Sequence, residues 1–163
     1  MPTAYLLLGS NLGDRVAILR QAVEGLMTTV GPVVAASGLY ETAAWGLTAQ
    51  PAFLNQALRL HTSLLPEQLL DACQAVEQQA GRERLIHWGA RTLDVDILLY
   101  DEAVIQSPRL TLPHPRLPER RFALVPLAEI AASVVHPQAG KTIAELLAVC
   151  TDGLAVKWYP AAS

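Results

Sequence analysis

The sequence predicts an α+β domain built on a largely antiparallel sheet, and three observations lead there. Apolar runs typical of strands alternate with stretches whose apolar residues recur every three or four positions, the spacing of helices. At least one pair of strand-like runs is joined by a connection too short for a crossover helix, so those neighbours run antiparallel. With 163 residues, a hydrophobic fraction of 52% and a charged fraction of 17%, the chain can bury one core and leaves little room for a second. Residues 1–163 therefore read as a single domain.

The elements follow in order. Ala4–Gly9 reads as a buried strand, and Ser10–Gly13 as the turn after it. Over Asp14–Val30 the apolar residues Val16, Leu19, Val23, Leu26 and Val30 lie on one helical face, and Gly31-Pro32 stops the helix. Val33–Thr42 and Phe53–Thr62 read as strands, separated by a loop over Ala43–Ala52 that contains Gly46 and Pro51. Pro66 suits a helix's first turn, with Leu69, Cys73, Val76 and Ala80 on its buried side and Gly81 at its end. Gly81–Arg91 has no period and reads as a loop long enough to carry function. Thr92–Tyr100 is a strand turning at Asp101-Glu102, followed by short strands near Ala103–Ile105 and Arg109–Thr111. Beyond a stretch with Pro113, Pro115 and Pro118, two short helices are expected over Glu119–Val125 and Pro126–Ala131. Thr142 and Glu145 form a capping-box pattern for a last helix through Val149, and Ala155–Tyr159 reads as a closing strand.

Composition narrows the function classes. A net charge of −3 excludes a protein that coats nucleic acid through bulk positive charge. The cations are unbalanced, with ten Arg against Lys141 and Lys157, and seven of the Arg fall between Arg82 and Arg121. Arginine's planar fork suits phosphate and carboxylate, so this clustering points to an anionic partner. Cys73 and Cys150 have no metal-binding spacing and read as reduced thiols of a cytoplasmic protein. The apolar run at the N-terminus is short and ends at Gly9, as expected of a core strand and not of a signal peptide or membrane span.

The sharpest chemical feature is Leu93-Asp94-Val95-Asp96-Ile97. Strand alternation puts Asp94 and Asp96 on one face, with α-carbons roughly 6–7 Å apart, and Leu93, Val95 and Ile97 on the other. Two carboxylates that close disfavour joint ionisation unless a cation lies between them. They can hold Mg²⁺ that in turn clamps phosphate oxygens, or they can simply face water. Arg82, Arg84, Trp88 and Arg91 just upstream favour the first reading, because Mg²⁺-polyphosphate transfer needs metal on one side and Arg on the others. A second cluster, Pro113-His114-Pro115-Arg116-Leu117-Pro118-Glu119-Arg120-Arg121-Phe122, offers His114 and Arg120 to phosphate, although alone it reads as a rigid connector. Gly140-Lys141-Thr142 echoes a phosphate loop but has Val135 where that motif needs glycine, so Thr142 is better read as a helix cap. Gly9-Ser10-Asn11-Leu12-Gly13 lacks dinucleotide-loop spacing.

Taken in order, five segments carry a resemblance. They are Gly9-Ser10-Asn11-Leu12-Gly13-Asp14, Gln50-Pro51-x-Phe53-x-Asn55, Glu77-x3-Gly81-Arg82-x-Arg84, Trp88-Gly89-x-Arg91-Thr92-Leu93-Asp94-x-Asp96-Ile97, and Pro113-His114-x5-Arg120-x-Phe122. Together, from about Tyr5 to Ile130, the chain resembles the free-standing bacterial 6-hydroxymethyl-7,8-dihydropterin pyrophosphokinase family. The resemblance implies a ferredoxin-like fold, a monomer, and transfer of pyrophosphate from ATP to the pterin hydroxymethyl group in folate biosynthesis. It implies two Mg²⁺ on Asp94 and Asp96, charge stabilisation by Arg82 and Arg91, and phosphate binding by His114 and Arg120. Gln74, Glu77, Arg84, Trp88, Ile97 and Thr111 would lie on the nucleotide side. Phe53 and Phe122 would stack on the pterin, with Asn55 and Thr42 on its polar edge beside backbone around Trp45 and Gly46. No side chain is singled out as a general base. His87 stands where relatives often have Arg, and Ala49 where they often have an acid. A nucleotidyltransferase would place its Gly-Ser close before the carboxylates, and here about eighty residues intervene. A binding module whose charges are mere surface would tolerate loss of Asp94 and Asp96.

Overall fold

A computed structural model describes residues 1–43, 52–82 and 93–160. The elements are β1 (Thr3–Ser10), α1 (Arg15–Thr29), β2 (Val33–Ala36), β3 (Leu39–Thr42), β4 (Phe53–His61), α2 (Pro66–Arg82), β5 (Asp94–Tyr100), β6 (Ile105–Gln106), β7 (Thr111–Leu112), α3 (Arg121–Ala131), α4 (Ile143–Val149) and β8 (Val156–Tyr159). The strands of the main sheet run in the order β5-β1-β4-β3-β8, β2 also pairs with β4, and every pairing is antiparallel. Two successive β–α units meeting in this order make the ferredoxin-like arrangement. β6 and β7 form a separate hairpin.

Alternation along the central strands builds a core on each face. Ala4, Leu6 and Leu8 of β1 pack with Leu54, Leu58 and Leu60 of β4 under Leu19 and Leu26 of α1 and Leu69 and Cys73 of α2. On the reverse face Tyr5, Leu7 and Ala57 pack under Leu124 and Leu127 of α3 and Ile143 and Leu146 of α4. β5 keeps this alternation until the register shifts opposite Tyr5 and Leu6, where Leu98 is inserted. Leu98 and Leu99 therefore both reach the α3 side, and Tyr100 returns to the α1 side.

Caps set several boundaries. Asp14 accepts from the Ala17 amide at the start of α1, and Thr142 and Glu145 form the expected reciprocal box on α4. Three expectations are corrected. The strand expected over Val33–Thr42 is two strands, broken at Ser37-Gly38, where Ser37 Oγ and N both bond to Ala57 backbone. The Trp158 ring lies so close over Gly38 that a Cβ there would meet it at 2.3 Å. The two helices expected around Pro126 are one continuous helix, preceded by a 3-10 turn over Leu117–Glu119. Pro126 removes one amide from α3, yet it is buried, and apolar packing of Leu124 and Leu127 holds the helix through it. Finally, α2 does not stop at Gly81 but continues through Arg82. Among the described residues no helix is long and apolar enough to cross a membrane.

Candidate active site

The cleft lies on the α3 face of the sheet, at the end that α3 leaves uncovered. Its floor is a row of directly paired residues across three strands: Asp94 of β5, Gly9 of β1 and Asn55 of β4. Paired residues point to the same face, so Asp94 and Asn55 stand on either side of a residue that has no side chain. At about 4.8 Å per strand, they are roughly 10 Å apart. Asp96 follows Asp94 on that face, and both are half-buried. The cleft has a volume of about 840 Å³.

At one end the wall is aromatic and amide. Phe53 and Asn55 project from β4, and Asn55 Nδ2 donates to Thr42 Oγ1 of β3 at 3.1 Å. Asn55 is only 3% exposed, so this bond fixes its amide and turns Oδ1 toward Gly9. A Cβ on Gly9 would lie 2.9 Å from that oxygen, which makes glycine a packing requirement here. Phe122, in the first turn of α3, faces the same cleft, with the Arg120 guanidinium 5.5 Å from its ring. Behind the sheet, Arg15 donates to Glu41 and to the Ala52 carbonyl, tying together the ends of β3 and β4 that carry Thr42 and Phe53.

The other end is ionic. It carries Asp94 and Asp96 of β5, and Arg116, Glu119, Arg120 and Asp152 line the same cleft. His114, nearby, is pushed below its usual pKa mainly by burial, with Arg120 and Arg116 adding to the fall and Asp96 opposing it. Its Nδ1 accepts from the Arg116 amide at 3.2 Å. The neutral ring therefore carries its proton on Nε2, available as a donor. Glu77 of α2 accepts from the Val95 amide on the outer edge of β5, and the His114 amide donates to the Leu98 carbonyl farther along that strand. Cys73 is no nucleophile, because burial first, then Glu77 and Asp96, push its thiol up to about 12.

The structure thus brings together Asp94, Asp96, Arg120, Thr42, Phe53, Asn55 and Phe122 in one cleft. Gln74 and Thr111 are exposed on α2 and β7, both of which pack against β5, and Glu77 sits at that strand's edge; none lines the cleft. The Ile97 side chain points the opposite way, into the core beneath α1 and α2, so only its backbone can meet a ligand. Trp45, Gly46, Arg84, Trp88 and Arg91 lie outside the described residues, as does the side chain of Arg82. Sequence reasoning assigned no role to Gly9, Arg116, Glu119 and the Thr151-Asp152-Gly153 segment, all of which line the cleft. Arg116 and Glu119 belong to the proline- and arginine-rich stretch from Pro113 to Phe122, whereas nothing local marks residues 151–153.

The donor set fits Mg²⁺. Among the described residues no group of three His, Cys, Asp or Glu could form a closed protein cage. Two carboxylates on a rigid strand suit an ion that keeps waters and takes its remaining ligands from substrate phosphates.

A family model for 7,8-dihydro-6-hydroxymethylpterin-pyrophosphokinase (HPPK) matches residues 5–132. The chain belongs to that family. The 2-amino-4-hydroxy-6-hydroxymethyldihydropteridine pyrophosphokinase of Methylorubrum extorquens is 48% identical over 149 residues, covering 91% of this chain and 93% of that protein. The enzyme of the same name from Haemophilus influenzae is 40% identical over 161 residues, covering 98% of this chain and all of the other. In a crystal structure of Plasmodium falciparum HPPK-DHPS, 90% of this chain superposes with a TM-score of 0.74 at 17% identity, on 44% of that longer chain. The HPPK resemblance read from the sequence motifs, and the α+β fold it implied, are thereby borne out.

Proposed function

We propose that this HPPK-family chain transfers the terminal pyrophosphoryl group of ATP to the hydroxymethyl oxygen of 6-hydroxymethyl-7,8-dihydropterin. The bond between the α-phosphate and the β-phosphorus breaks, a bond from the substrate oxygen to the β-phosphorus forms, and AMP and a proton leave. The observation that carries the reading is the floor of the cleft. A carboxylate pair and an amide–aromatic pocket lie on one sheet face, with Asp94 and Asn55 roughly 10 Å apart and Gly9 between those two. A flat heterocycle between Phe53 and Phe122, its polar edge on Asn55 and Thr42, would extend a short substituent over Gly9 toward Asp94 and Asp96.

Most of the catalytic work is then alignment and charge neutralisation. Asp94 and Asp96 would hold two Mg²⁺, which when bound screen the charge of the triphosphate and polarise the transferred phosphorus. Arg120 and the Nε2 proton of His114 would donate to phosphate oxygens, with Arg82, Arg84 and Arg91 as further cations. Gln74, Glu77, Trp88, Thr111 and the Ile97 backbone would meet the nucleotide along the outer edge of β5. Backbone around Trp45 and Gly46 would complete the pterin pocket. We further propose that the chain works as a monomeric single domain in the cytoplasm, a setting in keeping with its free cysteines.

The test is incubation with ATP, Mg²⁺ and the dihydropterin, followed by chromatographic separation of nucleotides and pterins. AMP together with a diphosphorylated pterin supports the reading; ADP as the sole nucleotide product, or no turnover, overturns it.

A further inference from the structure

Two of the proposed ligand-binding side chains, Arg120 and Phe122, flank the first residue of α3. The helix starts there without a cap of its own. Its N-cap residue is Arg120, whose side chain makes no capping bond and has no atom able to accept one. The first-turn amides therefore need an acceptor from elsewhere in the chain. Asp152 supplies it, from a segment that follows α4 and lies beyond the stretch matched by the family model.

The geometry is specific. Asp152 Oδ2 accepts from the Arg121 amide at 3.1 Å, and Oδ1 accepts from the Leu154 amide at 3.0 Å. Each oxygen is held by one amide, so the carboxylate links α3 to the chain leading into β8. A negative charge at a helix N-terminus is favoured by the helix dipole, and a charge-assisted bond is stronger than a neutral one. Thr151, Asp152 and Gly153 also line the cleft.

We propose that Asp152 is a positioning residue for pyrophosphoryl transfer, fixing through the Arg121 amide where Phe122 and Arg120 enter the cleft. The inference rests on the reading that Phe122 stacks on the pterin and Arg120 meets phosphate. Asp152 does not hold α3 in place by itself. At the far end of the helix Glu129 accepts from the Gly38 amide and from Tyr40 Oη at 2.6 Å, while Leu124 and Leu127 are fully buried. Loss of Asp152 therefore loosens the cleft end of α3 and leaves the rest docked. That end carries the side chains whose placement sets substrate alignment.

The experiment compares full-length wild type, Asp152→Ala, Asp152→Asn and Glu129→Gln by steady-state kinetics and thermal melting. Wild-type AMP release is measured first, and its absence overturns the functional reading itself, separately from any role of Asp152. With wild type active, Asp152→Ala is expected to raise KM for the dihydropterin about tenfold, as a misplaced binding wall does. Asp152→Asn keeps one acceptor for the Arg121 amide and should recover most of that loss. Glu129→Gln weakens the remote end of α3 and should lower the melting temperature with KM within about twofold of wild type. The proposal is overturned if Asp152→Ala melts lower but keeps both substrates' KM values within about twofold. It is also overturned if Glu129→Gln raises the pterin KM as much as Asp152→Ala does. Should Asp152→Ala not fold, Asp152→Ser decides, because its single short oxygen cannot hold both the Arg121 and Leu154 amides: a rise in pterin KM of about threefold or more supports the role, and a smaller change overturns it.

Discussion

Gly9→Ala tests the floor of the cleft with a single methyl group. The backbone at Gly9 is not among those with positive φ, so alanine suffers no conformational penalty there. Its effect must come from the added Cβ. That atom would lie 2.9 Å from Asn55 Oδ1, 3.8 Å from Phe53 Cδ1 and 3.9 Å from the Leu54 carbonyl. The last two are ordinary contacts, but the first is about half an ångström too short. Asn55 cannot swing away freely, since it is buried and bonded to Thr42. Overpacking of this kind costs about 1–3 kcal/mol, and stretching the Asn55–Thr42 bond forfeits up to about 1 kcal/mol within that range. The variant should therefore fold, with stability reduced by about 1–2 kcal/mol in denaturant melts. Displacing the Asn55 amide, proposed to read the pterin's polar edge, should weaken pterin binding by about tenfold to a hundredfold. ATP affinity, measured by isothermal titration in parallel, should change by less than about threefold, because the phosphate side is untouched. Unaltered pterin affinity in a folded Gly9→Ala protein would refute the assignment of Asn55 and of the floor.

Further perturbations probe different parts of the account. Asp94→Asn and Asp96→Asn should each lower kcat by about a hundredfold or more while leaving the melting temperature near that of wild type; chelation of Mg²⁺ should abolish turnover in wild type. His136 is buried and its pKa is lowered by desolvation, while its Nδ1 accepts from the Gln138 and Ala139 amides. At pH 7.5, His136→Ala should destabilise the fold by about 1–3 kcal/mol through those unsatisfied amides. Below pH 6.5, the ordinary histidine value, the unfolded chain gains a proton that the folded ring resists, so wild-type stability falls with falling pH. The gap between wild type and His136→Ala in urea melts should accordingly narrow as pH drops from 7.5 to about 5. Thr142→Ala removes the side-chain half of the α4 capping box and should cost about 1 kcal/mol in the same melts.

Much of the candidate cleft could be read from the sequence because it obeys strand alternation. Asp94 and Asp96 share a face, as do Phe53 and Asn55, and the sheet order then sets the two pairs on either side of β1. The same alternation turns Ile97 into the core, where only a resemblance had suggested contact with nucleotide. What escaped depends on contacts distant in sequence. The break at Ser37-Gly38 is invisible to periodicity because β2 and β3 pair with the same strand, and it becomes intelligible only once Trp158 lies over Gly38. Pro126 reads locally as a helix breaker, yet burial of its neighbours outweighs one missing hydrogen bond. Asp152 follows an unremarkable turn sequence, and its place in the cleft arises from the return of the chain past α3.

The central claim is that one cleft joins a pterin pocket to a metal–phosphate site so that the β-phosphorus, and not the γ-phosphorus, is attacked. Phosphorus NMR of the products formed from ATP and 6-hydroxymethyl-7,8-dihydropterin tests it directly. The account predicts AMP and a pterin diphosphate ester in equal amounts, with its two coupled phosphorus signals. Formation of ADP with a pterin monophosphate would contradict it.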